Sequence, residues 1–192
     1  MFPQVSLAPP AREDVERLMG WLEDEEVNTS WYGIGDDGRP LHVGYDPVRV
    51  LDRDGREWAR VFNDDNRKVF AVYSGDGEHI GEAQLVIEWP LLEAQAFILV
   101  GRKDLWHHRY GTMAMVSLLD HAFDVMGLHR IWVDVPEYNR PALTMVEHIG
   151  FVMEGHFRKA HRRGDQWFDS YALGLLADEY SRRRSRLFDS SR

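Results

Sequence analysis

The residue types best able to do chemistry cluster in one stretch, LWHHRYGTMAM, from Leu105 to Met115. Two histidines, an arginine and a glycine lie there between an apolar run that reads as a strand and an amphipathic run that reads as a helix. A helix N-terminus points unpaired N–H groups outward and carries a partial positive charge. Where a strand feeds that terminus, the amides can wrap an anion, phosphate above all. The segment from Leu99 to Thr112 fits this geometry. Gly111 would let the backbone approach a ligand closely, and His107, His108 and Arg109 could add side-chain donors. The same spacing equally suits a plain strand–helix connection. Two familiar phosphate cradles are excluded. G-x-G-x-x-G does not follow the strand, because several residues separate Gly101 from Gly111, and G-x-x-x-x-G-K-[ST] is absent.

Other chemistries find less support. The nine histidines are scattered, no pair has a third ligand at metal-binding spacing, and no metal is expected. The absence of cysteine removes disulfides and thiolate sites and fits a cytoplasmic protein. Seven tryptophans read as core and cleft lining. The formal net charge of −9 argues against broad nucleic-acid binding. It suits a cationic partner such as an amine, and equally suits simple solubility. The run RRRSR, Arg182 to Arg186, reads as a solvated helix end in a basic C-terminal tail that begins at about residue 181. The opening MFPQVSLAPP lacks the pattern of a secretory signal. No apolar run reaches the roughly 20 residues needed to span a bilayer, so no membrane partner is expected. At 192 residues the expectation is one domain covering 1–192.

The elements that must position the junction follow from periodicity. A short strand, Val5 to Leu7, is ended by Pro9 and Pro10. A helix then buries Val15, Leu18, Met19 and Leu22. A loop rich in Gly, Asp and Pro leads to a second helix over Val48 to Val61. KVFAVYS and HIGEAQLVIEW form a hairpin around Gly75 to Gly77. EAQAFILVG follows as a strand whose continuous apolar run suggests burial on both faces. A helix from Thr112 to about Met126 buries Met115, Val116, Leu119, Ala122, Phe123 and Met126, and Gly127 caps it. HRIWVDV is a strand. Asn139 caps the next helix, Pro141 sits in its first turn, and Ala142, Met145, Val146 and Ile149 face inward until Gly150 stops it. The remainder reads as a long hairpin turning at Gly164–Asp165. The order implies an α/β (α+β) protein with a mixed sheet: a meander, then one βαβ crossover.

The run GRKDLWHHRYGTMAMVSLLDHAFDVMGLHRIWVDVPEYNRPALTMVEHIGFVMEG resembles the cofactor half of the GNAT acyltransferase superfamily. It is closest to the branch typified by ribosomal-protein N-acetyltransferases of the RimJ/RimL kind, and the opening LAPPAREDVERLMGWLEDEEV fits that branch too. The resemblance implies a GNAT fold, with a central mixed sheet splayed at the cofactor site and flanked by helices. It implies acetyl-CoA as co-substrate and an amine acceptor: a protein N-terminus, a polyamine, an amino sugar or another small amine. The pyrophosphate loop [QR]-x-x-G-x-[GA] becomes Trp106-His107-His108-Arg109-Tyr110-Gly111, where only Gly111 matches. Main-chain amides of this loop and of Thr112 would hold the pyrophosphate. Arg109 in place of glycine implies that position 109 needs no glycine-only conformation, and Arg109 could touch phosphate. The strand end Ile98, Leu99 and Val100 would flank the pantetheine arm, and Asn139 matches the asparagine that contacts the cofactor. Dimers are common among similar proteins.

Acetyl transfer to an amine needs a proton acceptor, a donor to the thioester oxygen and a way to release the thiolate. The family's usual glutamate and tyrosine align with Gln95 and Val146, which can be neither base nor acid. Among Glu82, Glu88, Glu93, Tyr138 and Glu147, the expected base is Glu88, on a strand flanking the cleft. The acidic run Glu23 to Glu26 lies where this branch borders its acceptor. The missing pair also motivates a rival reading, a non-catalytic acyl-CoA-binding or regulatory module on the same scaffold.

Overall fold

The computed structural model describes residues 2–35 and 37–188. In chain order it forms β1 (Val5–Ala8), α1 (Arg12–Leu22), α2 (Glu25–Ser30), α3 (Pro47–Val50), α4 (Gly55–Phe62), β2 (Arg67–Ser74), β3 (His79–Glu88) and β4 (Glu93–Val100). There follow α5 (Tyr110–Asp120), β5 (Arg130–Pro136), α6 (Arg140–Ile149), β6 (Val152–Arg163), β7 (Gln166–Leu176) and α7 (Ala177–Arg184). The strands make one sheet in the order β1-β2-β3-β4-β5-β7-β6. Only β4 and β5 run parallel, joined through α5; the other neighbours are antiparallel. This is the expected meander with one crossover.

Strand periodicity sorts side chains into two layers. Ala83, Leu85, Ile87, Ala94, Ala96, Ile131, Val133 and Val135 face the core built with α5, α6 and α7. Phe97 and Leu99 point the other way, against Leu18, Leu22, Val27 and Trp31 from α1, α2 and the residue after it. β4 therefore alternates between two packed layers instead of being buried evenly on both faces, and Phe97 and Ile98 stay half-buried.

Several boundaries differ from the periodicity reading, each for a local reason. The helix expected over Val48 to Val61 is two pieces, because Asp52, Arg53 and Asp54 leave the first and Gly55 begins the second with a positive φ. α5 starts two residues early and ends at Asp120, where a single π turn, His121–Val125, takes over. In α6 the fully buried residues are Leu143, Val146 and Ile149, while Ala142 and Met145 are half-buried against the sheet gap described below. The basic tail is only partly a solvated end. Tyr180 and Leu187 are buried, and Arg184 pairs with Asp120 through two contacts of 2.8 Å. No helix of the described residues is long and apolar enough to cross a membrane.

Close backbone approach fixes β3 against β4. A Cβ at Gly81 would lie 2.0 Å from the Leu99 carbonyl oxygen, and neither atom can move without shifting a strand. Gly81→Ala should destabilise the protein by about 2 kcal/mol. That is a fall of roughly 4–8 °C in Tm for a chain of this size. An unchanged thermal midpoint would contradict this packing.

Candidate active site

The site begins where the two parallel strands part. β4 and β5 share three rungs, Glu93–Arg130, Ala94–Ile131 and Gln95–Trp132. Beyond them β4 stays bonded to β3 as far as Val100, and β5 stays bonded to β7 as far as Pro136. Held by different neighbours, the strands diverge and leave a gap through the sheet. It encloses about 90 Å³ between Ala96, Phe97 and Ile98 on one side and Val133, Asp134 and Val135 on the other. Met115, Met145 and Val146 close one face; Trp31, Tyr32 and His161 close the opposite face.

The junction singled out by the sequence stands at the mouth of this gap. A Cβ on Gly111 would sit 3.5 Å from Met145 Sδ and 3.7 Å from Val100 Cγ2, which places the start of α5 between β4 and α6. No side chain caps α5, so its first-turn amides at Tyr110, Gly111 and Thr112 remain available as donors. Trp106 donates its indole N–H to the Val100 carbonyl at 2.8 Å and pins the loop to the end of β4. His107 and Arg109 both take positive φ, at 64° and 67°. Position 109 therefore does adopt the conformation that favours glycine, contrary to the sequence expectation. Two non-glycine residues in this region cost roughly 1 kcal/mol each. The Arg109 guanidinium lies 4.6 Å over the Phe2 ring, so the side chain is held by cation–π stacking. His107 and His108 are exposed.

Asn139 caps α6 by accepting from the Ala142 N–H at 3.2 Å, as its position predicts. Its amide also donates to the Ser30 carbonyl at 3.2 Å, tying the end of α2 to α6 across the gap. The other end of α2 is tied by Lys103, which reaches Asp24 at 2.6 Å and Glu26 at 3.3 Å. Two of the acids in Glu23 to Glu26 are thus engaged with a neighbouring cation, and the anchored helix presents Trp31 and Tyr32 to the gap.

Polar groups absent from the sequence reading meet on that face. Asp134 Oδ2 lies 3.0 Å from His161 Nε2. Asp134 Oδ1 and Trp31 Nε1 are both buried with no hydrogen-bond partner among the described residues. Buried polar atoms are rarely left unpaired, because each costs about 1–3 kcal/mol. Trp31 and Asp134 both line the gap, so a ligand entering it could satisfy this donor and this acceptor. The Tyr32 ring packs 5.8 Å from His161. Burial, then the charge of Asp134 and the neighbouring Tyr138, push the Tyr32 hydroxyl well above the usual tyrosine range.

The structure does not bring Glu88 to this place. Glu88 is exposed at the far end of β3, opposite Glu93, on the side of the three closed rungs away from the gap. Glu93 pairs with Arg130 at 2.7 Å. Glu82 is buried and fully engaged by His42, Tyr45 and Gln84. Tyr138 packs on Phe168 and beneath Arg163, and Glu147 is exposed on α6. Among the described residues no three His, Asp or Glu side chains gather as metal ligands.

The model of the acetyltransferase (GNAT) domain matches residues 4–152. The chain belongs to the GNAT acetyltransferase family. Within the family, it is 32% identical over 72 residues to the uncharacterized N-acetyltransferase YnaD of Bacillus subtilis, a match covering 38% of this chain and 42% of that protein. It is 19% identical over 183 residues to the spermidine N(1)-acetyltransferase of Vibrio cholerae, covering 95% of this chain and 99% of that one. A crystal structure of the Vibrio cholerae spermidine N-acetyltransferase in complex with CoA and spermine superposes with a TM-score of 0.78 at 19% identity, over 93% of this chain and 98% of that chain. At that identity the superposition speaks for the fold.

Gly111 is helical and a Cβ there would make only ordinary contacts with Met145 and Val100, so alanine is compatible with the fold. Gly111→Ala should keep the thermal midpoint within about 2 °C while weakening acetyl-CoA binding tenfold or more in calorimetric titration, a loss of about 1.4 kcal/mol. Unchanged affinity would remove this helix start from the binding site.

Proposed function

We propose that the chain transfers the acetyl group of acetyl-CoA to a small cationic amine, and that a polyamine such as spermidine or spermine is the first acceptor to test. The observation that carries this reading is the gap between β4 and β5, with free helix amides at one mouth and the unpaired Asp134 carboxylate oxygen on its other face. A pyrophosphate suits the amides of Tyr110, Gly111 and Thr112. The unpaired edges of Ala96 to Val100 suit the amide-bearing pantetheine arm. Ile98, Leu99 and Val100 keep the role first expected of them, as do Gly111 and Thr112. Trp106 and Asn139 serve indirectly, by fixing the loop and the α2 segment.

An ammonium entering from the α2 face meets Asp134 Oδ1. A lysine-like amine is only about 0.1% neutral at pH 7, so it first gives one proton to solvent, and as the C–N bond forms the nitrogen must shed a second. Asp134, steadied by His161, accepts it; the buried Trp31 N–H is available to the thioester oxygen. This pair replaces Glu88 in the account. The net charge of −9 attracts polycations at long range. The resemblance to the RimJ/RimL kind leaves a protein N-terminus as the competing acceptor. The polyamine is favoured by the spermidine enzyme, which aligns over nearly the whole chain. That enzyme has been seen as a dodecamer, which supports self-association here, beyond the homodimer first expected.

Purified protein should release CoA from acetyl-CoA in the presence of spermidine or spermine, and more slowly with a peptide N-terminus. Asp134→Asn should lower kcat about 100-fold while leaving acetyl-CoA affinity within twofold. Acetyl-CoA binding without CoA release by any amine would favour the non-catalytic module instead.

A further inference from the structure

Acetyl transfer leaves a thiolate, and α6 offers no acid to protonate it. Val146, where the family places a tyrosine, is apolar and only 1% exposed. We infer that Tyr32, delivered by the segment after α2, is the general acid that protonates the leaving sulfur. The inference rests on the acetyl transfer proposed above.

Tyr32 lines the gap together with Ala96 to Ile98 of β4 and Val133 to Pro136 of β5. Its ring is held edge-on by Trp31 at 5.3 Å and lies against His161 at 5.8 Å, so its direction is fixed. Its hydroxyl makes no hydrogen bond among the described residues. The contrast with other tyrosines is informative: Tyr45 donates to Glu82, Tyr73 to Asp14 and Tyr180 to Asp120. Each of those hydroxyls is spent on a carboxylate; Tyr32, Tyr110, Tyr138 and Tyr171 make no such bond among the described residues, and of these four it is Tyr32 that lines the gap. Burial first, and then the Asp134 charge, hold the hydroxyl protonated at rest; the proton that Asp134 accepts from the amine removes that charge as the sulfur leaves, and so eases the release of the phenolic proton. The segment is anchored for the purpose. Asn139 holds the Ser30 carbonyl, and the Trp31 and Gly33 amides both bond back to the Asn28 carbonyl, at 3.1 and 2.7 Å.

The protons balance without another reactant. The ammonium first loses one proton to solvent. The amine lone pair then forms the C–N bond to the thioester carbon, and the nitrogen passes its surplus proton to Asp134 Oδ1. The C–S bond breaks with its electron pair going to sulfur, which takes the Tyr32 proton. The proton held at Asp134 returns to the phenolate, directly or through solvent. Amine and thioester become amide and thiol.

The test compares Tyr32→Phe with the unaltered protein, using spermidine as acceptor and two donors: acetyl-CoA, and its acetyl selenoester analogue. Selenolate is a weaker base than thiolate and leaves without help from an acid. With acetyl-CoA, Tyr32→Phe should lower kcat about 100-fold, with acetyl-CoA affinity and Tm close to the original values. With the selenoester the deficit should shrink to severalfold. Tyr138→Phe, altered outside the gap lining, should keep its rate. A kcat within twofold of the original, an equal deficit with both donors, or a loss confined to Tyr138→Phe overturns the assignment of Tyr32 while leaving acetyl transfer standing. Unaltered protein that releases no CoA with any amine overturns both.

Discussion

The proposed function depends on two parallel strands that stop pairing after three rungs. Separating β4 from β5 leaves backbone N–H and C=O groups without sheet partners in the middle of the protein, a cost few folds accept. The separation persists because each strand is bound firmly on its other side: β4 by β3 along its full length, with Gly81 allowing direct backbone approach, and β5 by β7. The unpaired edges then become an extended binding surface. An amide-bearing chain can lie along them as a strand would, so the cost of the gap is offset when a ligand fills it.

The gap gains chemistry from elements distant in sequence. β5 alternates, so Ile131, Val133 and Val135 face the core while Asp134 faces α2. The hairpin of β6 and β7 folds His161 onto Asp134. The helix α2 is pinned by Lys103 at its start and by Asn139 at its end, which sets Trp31 and Tyr32 over the opening. In the proposed reaction the two faces of one sheet serve different purposes: the helix start of α5 with the α6 side for the donor, the α2 side for the acceptor.

The sequence reveals the scaffold far more readily than the chemistry. Period-2 and period-3.6 patterns, Gly127, Gly150 and the Asn139 cap locate nearly every element, because these signals are local. The junction at Leu105 to Met115 is legible for the same reason. Conformation at Arg109 is not: nothing in the residue type announces a positive φ, and the stacking on Phe2 that accompanies it is a contact across 107 residues. Glu88 misleads because its strand lies one removed from the gap, behind β4, and its end sits beside the three closed rungs, away from the opening. Asp134, His161 and Tyr32 lie far apart in the chain and belong to three different segments. The only sequence signal for Asp134 is a charge among apolar residues of a buried strand.

The central claim is that acetyl-CoA occupies the space between β4 and β5, with its pyrophosphate on the start of α5. The most direct measurement is residue-resolved amide hydrogen exchange with and without acetyl-CoA. The account predicts slowed exchange at amides between Phe97 and Val100 and at Tyr110, Gly111 and Thr112, with the hairpin turn at Gly164 unaffected. Binding that leaves those amides unchanged would contradict it.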